Sequence, residues 1–208
     1  MAEMQAAAET LQEIDWGVSI FGSARLRADS PYYALSEKLG ARLAQAGFNV
    51  IAGGGPGIME AANKGAFEAG GHSVGLNIKL PRETTNNQYQ THSLQFEYFY
   101  SRKATFFMHS AAYVALPGGY GTLDELFEVL TLVQTGKVPP APIVLIGTSF
   151  WSGLIDWIRS NLLENRLIGP NDLDLIVLTD DIDVAMDAIE RRCADFATHR
   201  ECAPTLPE

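Results

Sequence analysis

Twice in this chain an apolar run of strand length ends in a cluster of glycines and passes directly into an amphipathic, helix-like run. Residues 111–116 lead through Pro117-Gly118-Gly119-Tyr120-Gly121 into residues 123–135, where Leu126, Phe127, Val129, Leu130 and Val133 recur at helical spacing. Residues 48–52 lead in the same way through Gly53-Gly54-Gly55-Pro56-Gly57 into residues 58–69. Such a junction commits a chain to a parallel sheet crossed by helices, because a strand that feeds a helix directly must return beside itself. It also brings backbone N–H groups of a first helical turn close to whatever lies above, at the positive end of the helix dipole. An anion, most simply a phosphate, suits both places.

The second junction has a purely structural reading as well. Thr122-x-x-Glu125 fits a capping box, in which Thr122 caps the helix and Glu125 reaches back to the cap. A capping box leaves the proline and three glycines before it unexplained, and both readings stand at this point.

Strand-like and helix-like runs alternate along the remaining chain. Residues 16–21 read as the first strand and residues 31–45 as a helix opened by Ser30-Pro31. Gly22 and Ser23 follow that strand, where a doubly wound sheet receives its ligand, although Ser23 equally suits an ordinary turn. Arg25 reads as a phosphate partner or a solvated charge, with the surface reading preferred. Glu60 sits in the first turn of the helix after the first glycine cluster, where a carboxylate is favoured with or without a ligand.

Residues 72–77 read as the third strand, followed by a polar stretch, 79–93, long enough to be a lid over a ligand or a subunit contact. Residues 94–97 read as a short fourth strand and 98–109 as a helix with Arg102 and Lys103 near its start, an unfavourable place for cations unless an anion holds them. Lys103 is the one expected to be solvated. Strands at 142–146 and 173–178 and helices at 150–163 and 182–192 complete the pattern, with Trp151 and Trp157 read as packing.

These elements predict an α/β fold, a Rossmann-like doubly wound parallel sheet of about six to seven strands with helices on both faces. Its ligand crevice is expected beyond the carboxyl ends of strands one and four. A peripheral N-terminal segment (1–15) that reads as a loose or peripheral helix, one nucleotide-binding domain (16–192) and a frayed tail (193–208) are expected.

Composition narrows the function. The formal charge of −10 argues against a nucleic-acid surface. No apolar run reaches the ~20 residues of a membrane span, and the start of the chain lacks a signal-peptide pattern, so a cytoplasmic protein is expected. His72, His92, His109 and His199 show no metal-ligand spacing, and Cys193 and Cys202 read as incidental. No metal and no cofactor are expected: the glycines do not match the dinucleotide fingerprint, the GxxxxGK[ST] loop is absent, and Lys64, Lys79, Lys103 and Lys137 lack the setting of a pyridoxal lysine.

The blocks Gly53-Gly54-Gly55-Pro56-Gly57-Ile58-Met59-Glu60-Ala61-Ala62, Ser101-Arg102-Lys103 and Pro117-Gly118-Gly119-x-Gly121-Thr122-x-x-Glu125 occur in the order of the LOG ("Lonely guy") family. The chain resembles those cytokinin riboside 5′-monophosphate phosphoribohydrolases over residues 16–192, and the family's frequent "lysine decarboxylase" label fails for want of that lysine. The resemblance implies a nucleoside 5′-monophosphate as substrate, Arg102 and Glu125 as catalytic residues, and a homodimer or larger homo-oligomer. It implies substrate or phosphate contacts from Gly22, Ser23, Gly54, Gly55, Glu60, Lys103, Pro117, Gly118, Gly119, Tyr120, Gly121 and Thr122. A non-catalytic carrier like the molybdenum-cofactor carrier proteins, of the same kind of fold, and a nucleotide-sensing scaffold are the alternatives.

Overall fold

The computed structural model describes residues 2–12, 14, 17–81 and 86–198, with side chains as far as 191. Trp16, residues 82–85 of the polar stretch, His199 and Cys202 lie outside the described residues, as does the side chain of Cys193. The order is α1 (Ala2–Thr10), β1 (Gly17–Phe21), α2 (Pro31–Gln45), β2 (Asn49–Ala52), α3 (Ile58–Glu68), β3 (Ser73–Ile78) and β4 (His92–Phe96). There follow α4 (Phe99–Met108), β5 (Ser110–Ala115), α5 (Tyr120–Gln134), β6 (Ile143–Ile146), α6 (Thr148–Trp157), β7 (Ile176–Thr179) and α7 (Ile182–Thr198).

All seven strands are parallel, in the order β4-β3-β2-β1-β5-β6-β7. The chain steps outward from β1 to β4, returns to the centre at β5, and steps outward the other way. The switch in strand order therefore lies between β1 and β5, not between strands one and four as the sequence suggested. The cause is visible in the strands: His92-Ser93-Leu94-Gln95-Phe96 alternates polar with buried residues and suits an edge, whereas Ala112 to Ala115 are buried throughout and suit the middle.

Alternate residues of each strand feed two cores. Phe21, Ile51, Leu76, Tyr113 and Leu145 pack with α1, α4, α5 and α6, while Ile20, Val50, Val114 and Val144 pack with α2, α3 and α7. The period-2 alternation of the pleat thus produces the three layers.

The N-terminal helix expected, loose or peripheral, is present as α1 and is docked on the sheet's first core. Ala7, Leu11 and Ile14 are buried in the first core, and the Glu3 carboxylate accepts hydrogen bonds from Glu97 N (2.6 Å) and Ser101 Oγ at the start of α4. Glu3 thereby ties α1 to the residue before the α4 cap and to a hydroxyl of its first turn. Three other expectations change. Residues 172–175 form a 3₁₀ turn before β7, and α6 ends in a π-helical turn, Ile158–Leu163. Trp151 is buried and donates to Ile146 O, but Trp157 is half exposed.

Candidate active site

The two helix starts that follow the glycine clusters carry no side-chain cap. Ser30 caps α2 in the ordinary manner, its side chain accepting from Tyr32 N at 3.3 Å. By contrast α3 and α5 open on Gly57 and Gly119 with no side-chain cap at all. The capping box at residues 122–125 does not form: α5 starts at Tyr120, so Thr122 lies buried within the first turn and Glu125 lies in the second. First-turn N–H groups of α5 face the crevice without a side-chain acceptor, the arrangement that receives an anion.

Across the crevice floor from that turn, α4 supplies Arg102, which is only 6% exposed. Its Nε donates to Leu76 O (2.6 Å) and its Nη2 to Gly53 O (3.3 Å), so the ends of β3 and β2 fix the guanidinium plane. The ring of Phe106 lies 5.3 Å from its Cζ. The third nitrogen, Nη1, stands 3.6 Å from Glu125 Oε1, a charge contact longer than a hydrogen bond. A side chain at Gly53 would overlap the guanidinium, which is why the backbone there carries none.

Burial pushes the Glu125 carboxyl up to about 7 despite the opposing pull of Arg102, with Asp124 adding to the rise. Burial also lowers the Arg102 pKa, opposed by Glu125, but a guanidinium stays charged at neutral pH. The pair therefore places a fixed cation beside a carboxyl poised between its two forms, in a place water reaches poorly.

The crevice has a volume of about 630 Å³, in the range of small-ligand sites. Of the residues singled out in the sequence, Gly22, Ser23, Arg25, Gly53, Gly55, Arg102, Gly119, Tyr120, Gly121, Thr122 and Glu125 line it. Gly54, Glu60, Lys103, Pro117 and Gly118 do not. Pro117 O instead accepts from Ser23 N (3.1 Å), joining the turns after β1 and β5, and Gly118 lies against Thr122. Glu60 accepts from the Tyr33 hydroxyl at 3.1 Å, between α2 and α3.

Lys103 is neither in the crevice nor solvated. Its Nζ lies 3.1 Å from Asp124 Oδ2 and 2.6 Å from Glu128 Oε2, and so ties α4 to α5. Those acidic residues, one helical turn apart, are the reason that a cation near the start of α4 is tolerated.

Sequence reasoning did not mark Ala24, Pro56, Met59, Asn77, Ile78, Leu80, Asn86, Phe99 and Leu123, which complete the lining among the described residues. Asn77 and Ile78 end β3 on the ligand edge, a position that offered the signal. The described part of the polar stretch clamps the first glycine cluster. Asn87 N and Gln90 Nε2 donate to Gly54 O (2.8 and 3.0 Å), Asn87 Nδ2 donates to Gly55 O (3.1 Å), and Asn77 Nδ2 donates to Gln90 Oε1 (3.0 Å). Gly54 needs its φ of 74°, and a side chain there would strike Asn77.

A family model described as "possible lysine decarboxylase" matches residues 59–189. Cytokinin riboside 5′-monophosphate phosphoribohydrolase LOG4 of Arabidopsis thaliana is 30% identical over 179 residues, 84% of this chain and 82% of the relative. This chain belongs to the LOG family. The Mycobacterium tuberculosis cytokinin riboside 5′-monophosphate phosphoribohydrolase is 29% identical over 184 residues, 84% of this chain and 93% of its own. Among solved structures, the molybdenum cofactor carrier protein of Chlamydomonas reinhardtii superposes with a TM-score of 0.64 at 21% identity, over 86% of this chain and 99% of its own, a likeness of fold.

The decarboxylase description does not fit the site of this LOG-family chain. No lysine lines the crevice among the described residues, and Lys64, Lys79 and Lys103 are held in ion pairs by Glu37, Glu97 and the Asp124–Glu128 pair. A pyridoxal enzyme needs a lysine for its Schiff base. Among the described residues no group of three or more His, Cys, Asp or Glu could hold a metal, and no helix is long and apolar enough to cross a membrane.

Proposed function

We propose that this chain hydrolyses the N-glycosidic bond of a purine nucleoside 5′-monophosphate, AMP or a cytokinin-type nucleotide, to the free base and ribose 5-phosphate. The single observation that carries the reading is the buried Arg102–Glu125 pair beside an uncapped helix start. The activity named for the LOG relatives supports it.

In this reading the phosphate sits on the N–H groups around Gly119, Gly121 and Thr122, which leaves the ribose over Glu125, one turn further along α5. The bond from C1′ to the base nitrogen breaks with its electron pair going to the base, and the sugar passes through an oxocarbenium-like state. The Glu125 carboxylate stabilises that positive charge and takes a proton from the water whose oxygen bonds to C1′. The base leaves after gaining a proton from solvent, so one water is consumed for each nucleotide. Arg102 acts on Glu125: two of its nitrogens are engaged by Leu76 O and Gly53 O, and the third faces the carboxyl.

A carrier protein is the second reading, supported by the likeness of fold to the molybdenum cofactor carriers. A carrier needs the uncapped helix start but has no use for a buried carboxyl held near neutral pKa. Incubation with AMP and with isopentenyladenosine monophosphate, followed by chromatography for base and ribose 5-phosphate, tests the reading. Release of both products is expected, and binding without release selects the carrier. The proposed assembly is a homodimer or larger homo-oligomer.

A further inference from the structure

We infer that Arg25 is the specificity residue for the phosphate: among the described residues the one crevice cation without a carboxylate partner, held on the turn between the two glycine clusters to meet the dianion of the substrate. The inference rests on the proposed phosphate site and adds a residue that neither the family blocks nor the helix start identifies.

Its position follows from the sheet. β1 is the central strand, so the Ser23-Ala24-Arg25 turn at its carboxyl end has the β2 loop on one side and the β5 loop on the other. Backbone bonds fix it to both: Ser23 N donates to Pro117 O (3.1 Å) and Ile58 N donates to Ser23 O (3.0 Å). The closeness of Gly57 completes the packing, since a side chain there would strike Ser23 O and Ala24. The Ser23 hydroxyl accepts from Arg25 N at 3.1 Å, so its place in the crevice is that of a turn-former that sets Arg25.

The charges decide what Arg25 does there. The cations at 42, 64, 79, 102, 103, 159 and 191 all have carboxylate partners. Of the two that line the crevice, Arg102 is buried and answered by Glu125, whereas Arg25 is exposed and has no carboxylate partner among the described residues. It shares the crevice wall with Gly119, Gly121 and Thr122. A helix start presents roughly half a positive charge, a phosphate monoester carries nearly two negative ones, and the chain as a whole is at −10. A guanidinium on the rim supplies the missing charge and a planar pair of donors that fits a phosphate edge. Arg27, Lys38, Lys137 and Arg166 also lack a carboxylate partner among the described residues but do not line the crevice, so Arg25 is the described crevice cation open to a ligand as its partner.

The test uses Arg25→Gln and Arg25→Lys in the full chain, with calorimetric titration of ribose 5-phosphate and of adenine, and steady-state kinetics on AMP. For Arg25→Gln the dissociation constant of ribose 5-phosphate is expected to rise about tenfold, the value of one charge-assisted contact, with a much smaller change for adenine. The loss on AMP is expected in KM rather than kcat, with partial recovery in Arg25→Lys. An unchanged ribose 5-phosphate affinity, or equal losses for both ligands, overturns the inference. Should the wild type release no base from AMP, the glycosidase reading fails, and the ribose 5-phosphate titration still decides the role of Arg25.

Discussion

A carboxyl held at about 7 by burial has measurable consequences at Glu125. Its folded pKa lies above the ordinary carboxylate value, so the folded state binds the proton more tightly than the unfolded chain. The contribution to stability is therefore favourable at acid pH and is lost as pH rises from about 4.5 through about 7, by about 3 kcal/mol at most. Glu125→Gln removes that slope, and urea unfolding of both proteins between pH 5 and pH 8 measures it. A wild type equally stable relative to the variant across that window contradicts the burial argument. If the carboxylate is the working form, kcat/KM on AMP rises with pH through an inflection near 7, and Glu125→Gln loses at least ~10³-fold at every pH. At this scale the sequence was legible for the two ends of the site and misleading between them. Arg102 and Glu125 stood out by their placement, but Thr122 looked like a cap because Ser and Thr usually are caps, whereas α5 opens earlier, on Gly119, and takes Thr122 into its first turn.

Between elements, the site depends on how closely strand ends, loops and helix starts approach one another. Arg102 is aimed by carbonyls at Leu76 and Gly53, on two strand ends remote from it in sequence, and only a missing side chain at Gly53 lets the guanidinium in. Gly53→Ala is expected to displace Arg102 and lower kcat on AMP by about 10²-fold or more, because a shift of about 1 Å at a reacting group has that effect. Its thermal melt is expected to stay cooperative, and a fully active Gly53→Ala protein would show that Arg102 needs no such aim. Strand and glycine patterns made these junctions readable. The clamp by Asn77, Asn87 and Gln90 was not, because polar side chains in a long loop have no periodicity that says what they will bond. The docking of α1 was equally hidden, since Ala2–Thr10 carries a weak apolar stripe and its attachment rests on Ala7, Leu11, Ile14 and the distant partner Ser101.

For the whole molecule, the parallel sheet and two-faced core were written in the alternation of the chain, while the place of the strand switch depended on which short strand took the edge. What the fold leaves outside points to assembly. Leu126, Val129 and Val133 turn α5 onto the core, and Leu130 and Leu132 pack partly against it, so the same chain covers much of that helix. Tyr120 remains 93% exposed, Phe127 is partly exposed, and Phe99, Tyr100 and Met108 project from the neighbouring α4. Lys103 bridges the two helices through Asp124 and Glu128. A shared surface of this kind, rich in exposed aromatic residues, suits a two-fold contact in which each chain meets the same face of its partner. Tyr120 and Phe99 also line the crevice, so the contact would close its outer edge. Light scattering at micromolar concentration is expected to give a mass at least twice the 22.6 kDa of one chain. Phe127→Asp, which places a charge on the exposed side of α5 without touching the crevice lining, is expected to shift the particle to the single-chain mass and to lower activity as the crevice edge opens. A wild type that scatters as a single chain with full activity rules the dimer out. A Phe127→Asp protein that keeps the larger mass moves the contact to another face.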